Sequence, residues 1–209
     1  MYFPLLVKDN FSILVVGGGE VAARKIETLL QIHCGITIIA PQIANLIDRN
    51  VQIGSIRWIQ REYAPGDCKG FQLVIAATPT REVNRKVSDE AREMGILVNV
   101  VDDPVLSTFI FPAVWRHKSL LVAVSTEGIA PFMAAEIRDR LAGHARGMGS
   151  WLKIAGDFRE IVRNEVNNPK EREKFYRRFA DAGPPSEDQP PPESGHLSDW
   201  LVWIDSIRK

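Results

Sequence analysis

The chain of 209 residues is 45% hydrophobic and 25% charged, enough apolar material to bury a core in one ordinary domain with an accessory one. Its 26 Lys and Arg balance 26 Asp and Glu, so no global field draws it to nucleic acid or an anionic membrane, and any basic site is local. Cys34 and Cys68 stand far apart and suggest neither a disulfide framework nor a metal site, while the lack of a signal peptide or of ~20 consecutive apolar residues points to a cytoplasmic location.

Up to about residue 101, short β-branched runs alternate with segments of helical period. Strands are expected over 12–16 (SILVV), 36–40 (ITIIA), 56–60 (IRWIQ), 73–77 (LVIAA) and 97–101 (LVNVV). Near-continuous Val, Ile and Leu suit strands buried on both faces of a parallel sheet. Between the first two, residues 21–32 carry Val21, Ala22, Ile26, Leu29 and Leu30 at helical spacing. Between the last two, Val83, Val87, Ala91 and Met94 recur every three or four residues. This alternation reads as an α/β fold, a doubly wound, Rossmann-like parallel sheet.

Beyond Pro104 the pattern changes. "STFIFPAVW" and "SLLVAVS" read as two further strands, and "PFMAAEIRDRLA" as a helix begun by Pro131, with Met133, Ala134, Ile137 and Leu141 on a small apolar face. A second amphipathic helix over 151–166 carries Trp151, Ile154, Phe158, Ile161, Val162 and Val166 on one stripe. A third, "PKEREKFYRRFA", carries Phe175, Tyr176 and Phe179. "GPPSEDQPPPESG" is a Pro-rich linker that cannot hold a packed core, and "LSDWLVWIDSIRK" after it has enough Trp and Ile to dock as a terminal helix.

The first motif with chemistry in it is "VVGGGEVAARK". Gly17, Gly19 and Ala22 satisfy G-x-G-x-x-G/A between a strand and a helix. Gly17 permits the tight turn, Gly19 lets the backbone approach a pyrophosphate, and Ala22 lets the helix pack on the sheet. Glu20 and Val21, between them, join the expected dinucleotide site. The acidic residue that holds a ribose about 20 residues further on is missing. Ala40 and Pro41 stand there with no Arg or Lys following, so their backbone is expected to supply the ribose contacts, and the choice between NAD and NADP is weakly determined. "AATPT" at 76–80 either lets a cofactor pass over the sheet edge or is a helix-starting turn capped by Thr80.

"NVVDDP" ends the fifth expected strand. Asp before Pro is ordinary turn chemistry. Ligands of parallel sheets nevertheless lie beyond the carboxyl ends of the strands, so Asp102 points into the expected crevice, where it can act as general base in a hydride transfer. The histidines His33, His117, His144 and His196 are scattered and make no rival set.

"YFPLLVKDNFSILVVGGGEVAARK", "LVIAATPTREVNRKVSDEA", "NVVDDPVLSTFIFPA" and "LLVAVSTEGIAPFMAAEIRDRL", in this order and spacing, resemble the precorrin-2 dehydrogenase/sirohydrochlorin ferrochelatase family, which also forms the N-terminal part of siroheme synthases. The match covers about residues 1–180. It implies NAD-dependent oxidation of the tetrapyrrole precorrin-2 to sirohydrochlorin, sometimes followed by Fe2+ insertion, in a homodimer with intertwined middle domains. The aspartate of the family's "NVVD" motif, its catalytic residue, corresponds to Asp102. Thr78 and Asn84 match the second cofactor edge, Asn99 the active-site strand, and Ser125, Thr126 and Gly128 the "ST-x-G" loop near the tetrapyrrole. Ala130 replaces the usual Ser before the helix-starting Pro, removing a cap or a substrate contact. No methyltransferase module is recognisable after it.

The organisation expected on these grounds is a Rossmann-like domain over 1–112, a dimerisation segment over 113–145, a helical domain over 146–182, a linker over 183–195 and a C-terminal helical segment over 196–209. A tetrapyrrole edged by carboxylates needs scattered cations and apolar walls. Arg138, Arg140, Arg172, Lys174, Arg177 and Arg178 are the candidates, though charged helix residues are usually a solvated face. Metal insertion needs no Cys/His site, because the macrocycle supplies the ligands. The competing readings are a regulatory NAD-sensing module without chemistry and a structural assembly protein that kept the fold.

Overall fold

The computed structural model describes residues 10–30, 34–146, 148–186, 189–193 and 195–208. The last turn of the helix expected over 21–32, His33, the resembling segment before Asn10 and parts of the Pro-rich linker lie outside them. Two compact units emerge, one of Met1–Phe111 with Glu127–Ile129, the other of Pro112–Thr126 with Ala130–Lys209.

In the first unit the aliphatic runs form β1 (Ser12–Val16), β2 (Gly35–Ile39), β3 (Ile56–Ile59), β4 (Leu73–Ala76) and β5 (Leu97–Val100). They pair in parallel in the order β3-β2-β1-β4-β5. The order reverses between β1 and β4, the point at which such sheets open a crevice. Alternation along each strand feeds two cores. Ile13, Val15, Ile36, Ile38 and Ile75 pack with Ala22, Ala23, Ile26 and Leu29 of α1 (Glu20–Leu29). Leu14, Val16, Val74, Val98 and Val100 pack with Val87 and Ala91 of α3 (Arg81–Glu93).

Three expectations need correction. Val21 is 43% exposed, and Ala23 takes its place on the buried stripe of α1. A helix that periodicity did not reveal, α2 (Asn45–Gln52), follows β2; Ile47 is its one buried residue, too little to make a stripe. "STFIFP" is not strand: it runs back along β5, where Thr108 N donates to Val98 O at 2.7 Å and Val98 N to Thr108 Oγ1 at 2.8 Å.

The loop from β3 to β4 is clamped by Glu90 of α3, whose carboxylate accepts from Tyr63 Oη, Gly66 N (2.9 Å) and Cys68 N (2.8 Å). Burial alone would raise the Glu90 pKa, but these donors outweigh it and hold the carboxyl below its ordinary value. Burial, with the Glu90 charge beside it, pushes the Cys68 thiol up to about 12, so this cysteine is packing material. A group whose folded pKa is depressed contributes stability above its unfolded pKa and loses it as pH falls through the folded value. Glu90→Gln is therefore expected to lower stability by about 1–2 kcal/mol at pH 7 and by much less at pH 3. Urea unfolding at both pH values checks this, and an equal loss at both contradicts it.

The second unit begins with an antiparallel hairpin, β6 (Ala113–His117) and β7 (Leu120–Val124), on which α4 (Pro131–Ala145) packs. Helices α5 (Met148–Glu165), α6 (Pro169–Ala182) and α7 (Leu197–Ile207) share one aromatic core. Trp151 and Phe158 of the expected stripe stack on Phe179 at centroid distances of 4.1 and 4.7 Å, and Trp200, Trp203 and Ile204 of α7 close it. Asn168 caps α6 by accepting from Lys170 N at 3.0 Å, with Pro169 in its first turn. No helix among the described residues is long and apolar enough to cross a membrane.

Candidate active site

The sheet carries its ladder one residue past three strands: Gly17 N donates to Ile39 O (3.0 Å), Ala77 N to Val16 O (2.8 Å) and Val101 N to Ala76 O (3.0 Å). The glycine turn, Thr78 and Asp102 thus share the carboxyl rim of adjacent strands β1, β4 and β5. Two strand spacings, about 10 Å, separate the first from the last.

Each glycine of the turn has its own reason. Gly17 adopts φ +112°, and a Cβ there would stand 2.4 Å from Ala77 O. At Gly18 a Cβ would meet Gln42 O at 2.2 Å, while its own carbonyl accepts from Ala44 N at 2.7 Å. Gly18 falls outside the G-x-G-x-x-A spacing; its need arises from the loop after β2, which sequence spacing does not show. Gly19 is the opposite case. Its backbone is extended (φ −78°, ψ −176°) and nothing lies within 4 Å of a Cβ. It is the N-cap of α1, no side chain caps that helix, and the first helical bond is Ala23 N to Gly19 O. The amides of Glu20, Val21 and Ala22 thus have no helical carbonyl to bind and stand at the positive helix end beside open backbone. These residues fit a dinucleotide pyrophosphate.

On the neighbouring edge Asn84, 6% exposed, closes the β4–α3 turn: its Oδ1 accepts from Thr78 N (3.1 Å) and Thr78 Oγ1 (2.7 Å), and its Nδ2 donates to Thr78 O (3.0 Å). Thr80 sits at the N-cap of α3 without a side-chain cap bond, so Asn84 rather than Thr80 holds this turn. Ala40 is buried, and its carbonyl accepts from Trp58 Nε1 at 2.9 Å; Pro41 is exposed.

The adjacent aspartates differ in what they hold. Asp103 accepts from Arg81 Nε at 2.9 Å and from Leu106 N at 3.4 Å, so it ties the turn to α3. Asp102 is exposed in the left-handed region at φ +59°, and among the described residues its carboxylate has no hydrogen bond or ion pair. Left-handed backbone is uncommon outside glycine and clusters at functional sites. Asn99, expected at the substrate, is 7% exposed and donates its amide to Phe109 O at 3.0 Å, which makes it the anchor of the segment after the turn.

Sequence reasoning missed Lys25. It is half-buried on α1, with Nζ 4.7 Å from the Phe111 ring centroid. Burial lowers its pKa, and the charge of Asp102 opposes that shift. The signal was the lysine six residues past Gly19, in "GGGEVAARK".

Ser125 and Thr126 belong to the second unit and Gly128 (φ +84°) to the first. Thr126 Oγ1 accepts from Ala130 N at 3.1 Å, supplying at the start of α4 the cap that Ala130 cannot make. Five of the six expected cations already hold a partner: Arg138 with Asp139, Arg140 with Glu136, Arg177 with Glu173, Arg178 with Asp205, and Arg172 with the carbonyls of Val166 (2.6 Å) and Arg163 (3.2 Å). An open groove of about 370 Å³ between α5 and α6, lined by Arg159, Arg163, Arg172 and Tyr176, contains none of the catalytic or dinucleotide residues. Among the described residues no group of His, Cys, Asp and Glu could hold a metal ion.

A family model described as "Putative NAD(P)-binding" matches residues 6–113. A siroheme synthase of Photorhabdus laumondii is 40% identical over 177 residues, 84% of this chain and 38% of that one. One from Methylococcus capsulatus is 40% identical over 188 residues, 89% and 40% of the two chains. The chain belongs to the family of the siroheme synthase N-terminal region. It spans about 40% or less of the length of these curated relatives. The siroheme synthase N-terminal fold agrees with a solved structure titled SirC, precorrin-2 dehydrogenase, at TM-score 0.71 and 23% identity, covering 99% of this chain and 98% of that one.

Proposed function

We propose that this siroheme synthase relative oxidises precorrin-2 to sirohydrochlorin with NAD+ as acceptor, Asp102 serving as general base. The observation that carries the reading is the pairing on one rim of an uncapped glycine turn with a carboxylate two strands away that has no hydrogen bond or ion pair among the described residues. The siroheme synthase relatives supply the substrate class. The turn from Gly17 through Glu20 and Val21 to Ala22 would hold the pyrophosphate, the ribose would lie against Ala40 and Pro41, whose carbonyls, already accepting from Trp58 and Gln60, keep their second lone pairs for it, and Asn84 presents Thr78 along the other edge. NAD supplies the hydride acceptor. Two hydrogens leave the substrate, one with its electron pair as hydride and one as a proton to Asp102. Ser125, Thr126 and Gly128 are the loop that contacts the tetrapyrrole, and Asn99 holds the 107–111 segment to β5. The same carboxylate is suited to take pyrrole protons when Fe2+, as substrate, enters the macrocycle.

The test is anaerobic incubation of the purified chain with NAD+ and precorrin-2, followed by NADH absorbance. NADH formation is expected. NAD+ binding without turnover would instead support the sensing module.

The reading includes a symmetric homodimer. Met133, Ile137 and Leu141, expected on a small apolar face of α4, are 42%, 39% and 49% exposed, and Phe132 beside them is 74% exposed, while Ala134 and Ala142 are buried. Apolar surface of this kind supports reading this face of α4 as the one that a second copy covers. Sedimentation at micromolar concentration is expected to show a dimer, and Ile137→Glu to shift it toward monomer; a wild-type monomer contradicts the assignment.

A further inference from the structure

We infer that Lys25 receives a carboxylate of the substrate beside Asp102, making it a specificity-determining residue for an acidic, polycarboxylated ligand; this rests on the reading above. The ammonium is half-buried over the Phe111 ring, and among the described residues it has neither a carboxylate within ion-pair distance nor a hydrogen-bond acceptor. A partly desolvated cation whose close partner among the described residues is an aromatic face rather than an anion still gains from an incoming negative charge, and burial already weakens its hold on the proton. An incoming anion restores that hold. Two anions could fill that role, the pyrophosphate or a substrate carboxylate. Lys25 lies six residues beyond Gly19, about 9 Å along the helix from the N-terminal amides that take the pyrophosphate, and the Phe111 ring beneath it belongs to the segment that Asn99 ties to β5, the strand that Asp102 follows. The electrostatic influence of Asp102 on Lys25 agrees with a place on the substrate side of the crevice.

The arrangement resolves an electrostatic conflict. A base that is itself a carboxylate repels a substrate edged with carboxylates, and the cation beside it offsets that repulsion locally, in a chain whose net charge gives no steering. The arginines of α4 and α6 cannot substitute readily, since most already hold an anion or a carbonyl of their own unit.

The experiment compares full-length wild type, Lys25→Met and Lys25→Arg for sirohydrochlorin binding by absorbance titration, for NAD+ binding by calorimetry, and for thermal unfolding. Methionine keeps the stem over Phe111 and removes the charge. Lys25→Met is expected to weaken sirohydrochlorin binding about tenfold or more, as for loss of one charge-assisted contact, and to leave NAD+ affinity within about twofold. Lys25→Arg is expected to restore most of the binding, and added salt to narrow the gap between wild type and Lys25→Met. Unchanged sirohydrochlorin binding by a folded Lys25→Met overturns the inference alone, as does a matching loss of NAD+ affinity. Failure of the wild type to bind sirohydrochlorin overturns the function proposal with it. If Lys25→Met does not fold, Lys25→Gln repeats the comparison with a shorter neutral chain.

Discussion

Asp102→Asn lowers kcat for NADH formation by about 10²–10⁴, the range expected for loss of a general base, while NAD+ still binds. The substitution is a clean one for a structural reason. Asp102 sits at φ +59°, and asparagine tolerates the left-handed region as well as aspartate does, so the turn keeps its backbone. Alanine at this position adds strain and confuses the result. Asp103→Asn is the internal control. It weakens the ion pair with Arg81, whose side chain is 76% exposed, so it costs stability about 0–1 kcal/mol and changes activity only a few-fold. Following NADH release in both variants, and loss of free sirohydrochlorin under anaerobic Fe2+, separates the two aspartates for oxidation and for metal insertion. Equal damage from both variants means that the stretch is structural, and a fully active Asp102→Asn removes the mechanism.

Gly19→Asp abolishes NAD+ binding and leaves the fold intact, a split between binding and stability that arises because an N-cap carboxylate suits the helix and repels the phosphates. Residue 19 has ordinary extended backbone, and nothing stands within 4 Å of a Cβ. Aspartate is among the preferred N-caps, so thermal unfolding should occur at or above the wild-type temperature. The same carboxylate occupies the space and the amides that a pyrophosphate needs. Gly17→Ala behaves in the reverse sense. With φ +112° and Ala77 O 2.4 Å from the new Cβ, it is expected to lose about 2–4 kcal/mol of stability. Calorimetric NAD+ titration beside thermal melts checks both variants. Unchanged NAD+ affinity in Gly19→Asp reduces the glycine motif to a plain turn.

The features legible in the sequence are those whose cause is local. The aliphatic runs of β1, β2, β4 and β5 specify strands buried on both faces, and the stripe of Trp151, Phe158 and Val162 specifies the core-facing side of α5 by helical period alone. The glycine turn and the position of Asp102 at a strand end follow from the same local reading. Helix α2 escaped it because a single buried residue, Ile47, makes no pattern. What only the tertiary structure decided is which polar groups are already spent. Asn99 and Phe109 lie ten residues apart, Arg81 and Asp103 twenty-two, and Asn84 closes on Thr78 across a turn. Among the described residues these pairings leave the Asp102 carboxylate without a hydrogen bond or ion pair and consume Asp103, a distinction invisible in "DD". Lys25 meets the Phe111 ring, 86 residues on, only because α1 stacks against the sheet, and Gly18 is required by a loop that returns from β2. Periodicity along a chain reports which face a residue presents, whereas the partner of a charge or a hydrogen bond is set by distances through space between segments remote in sequence.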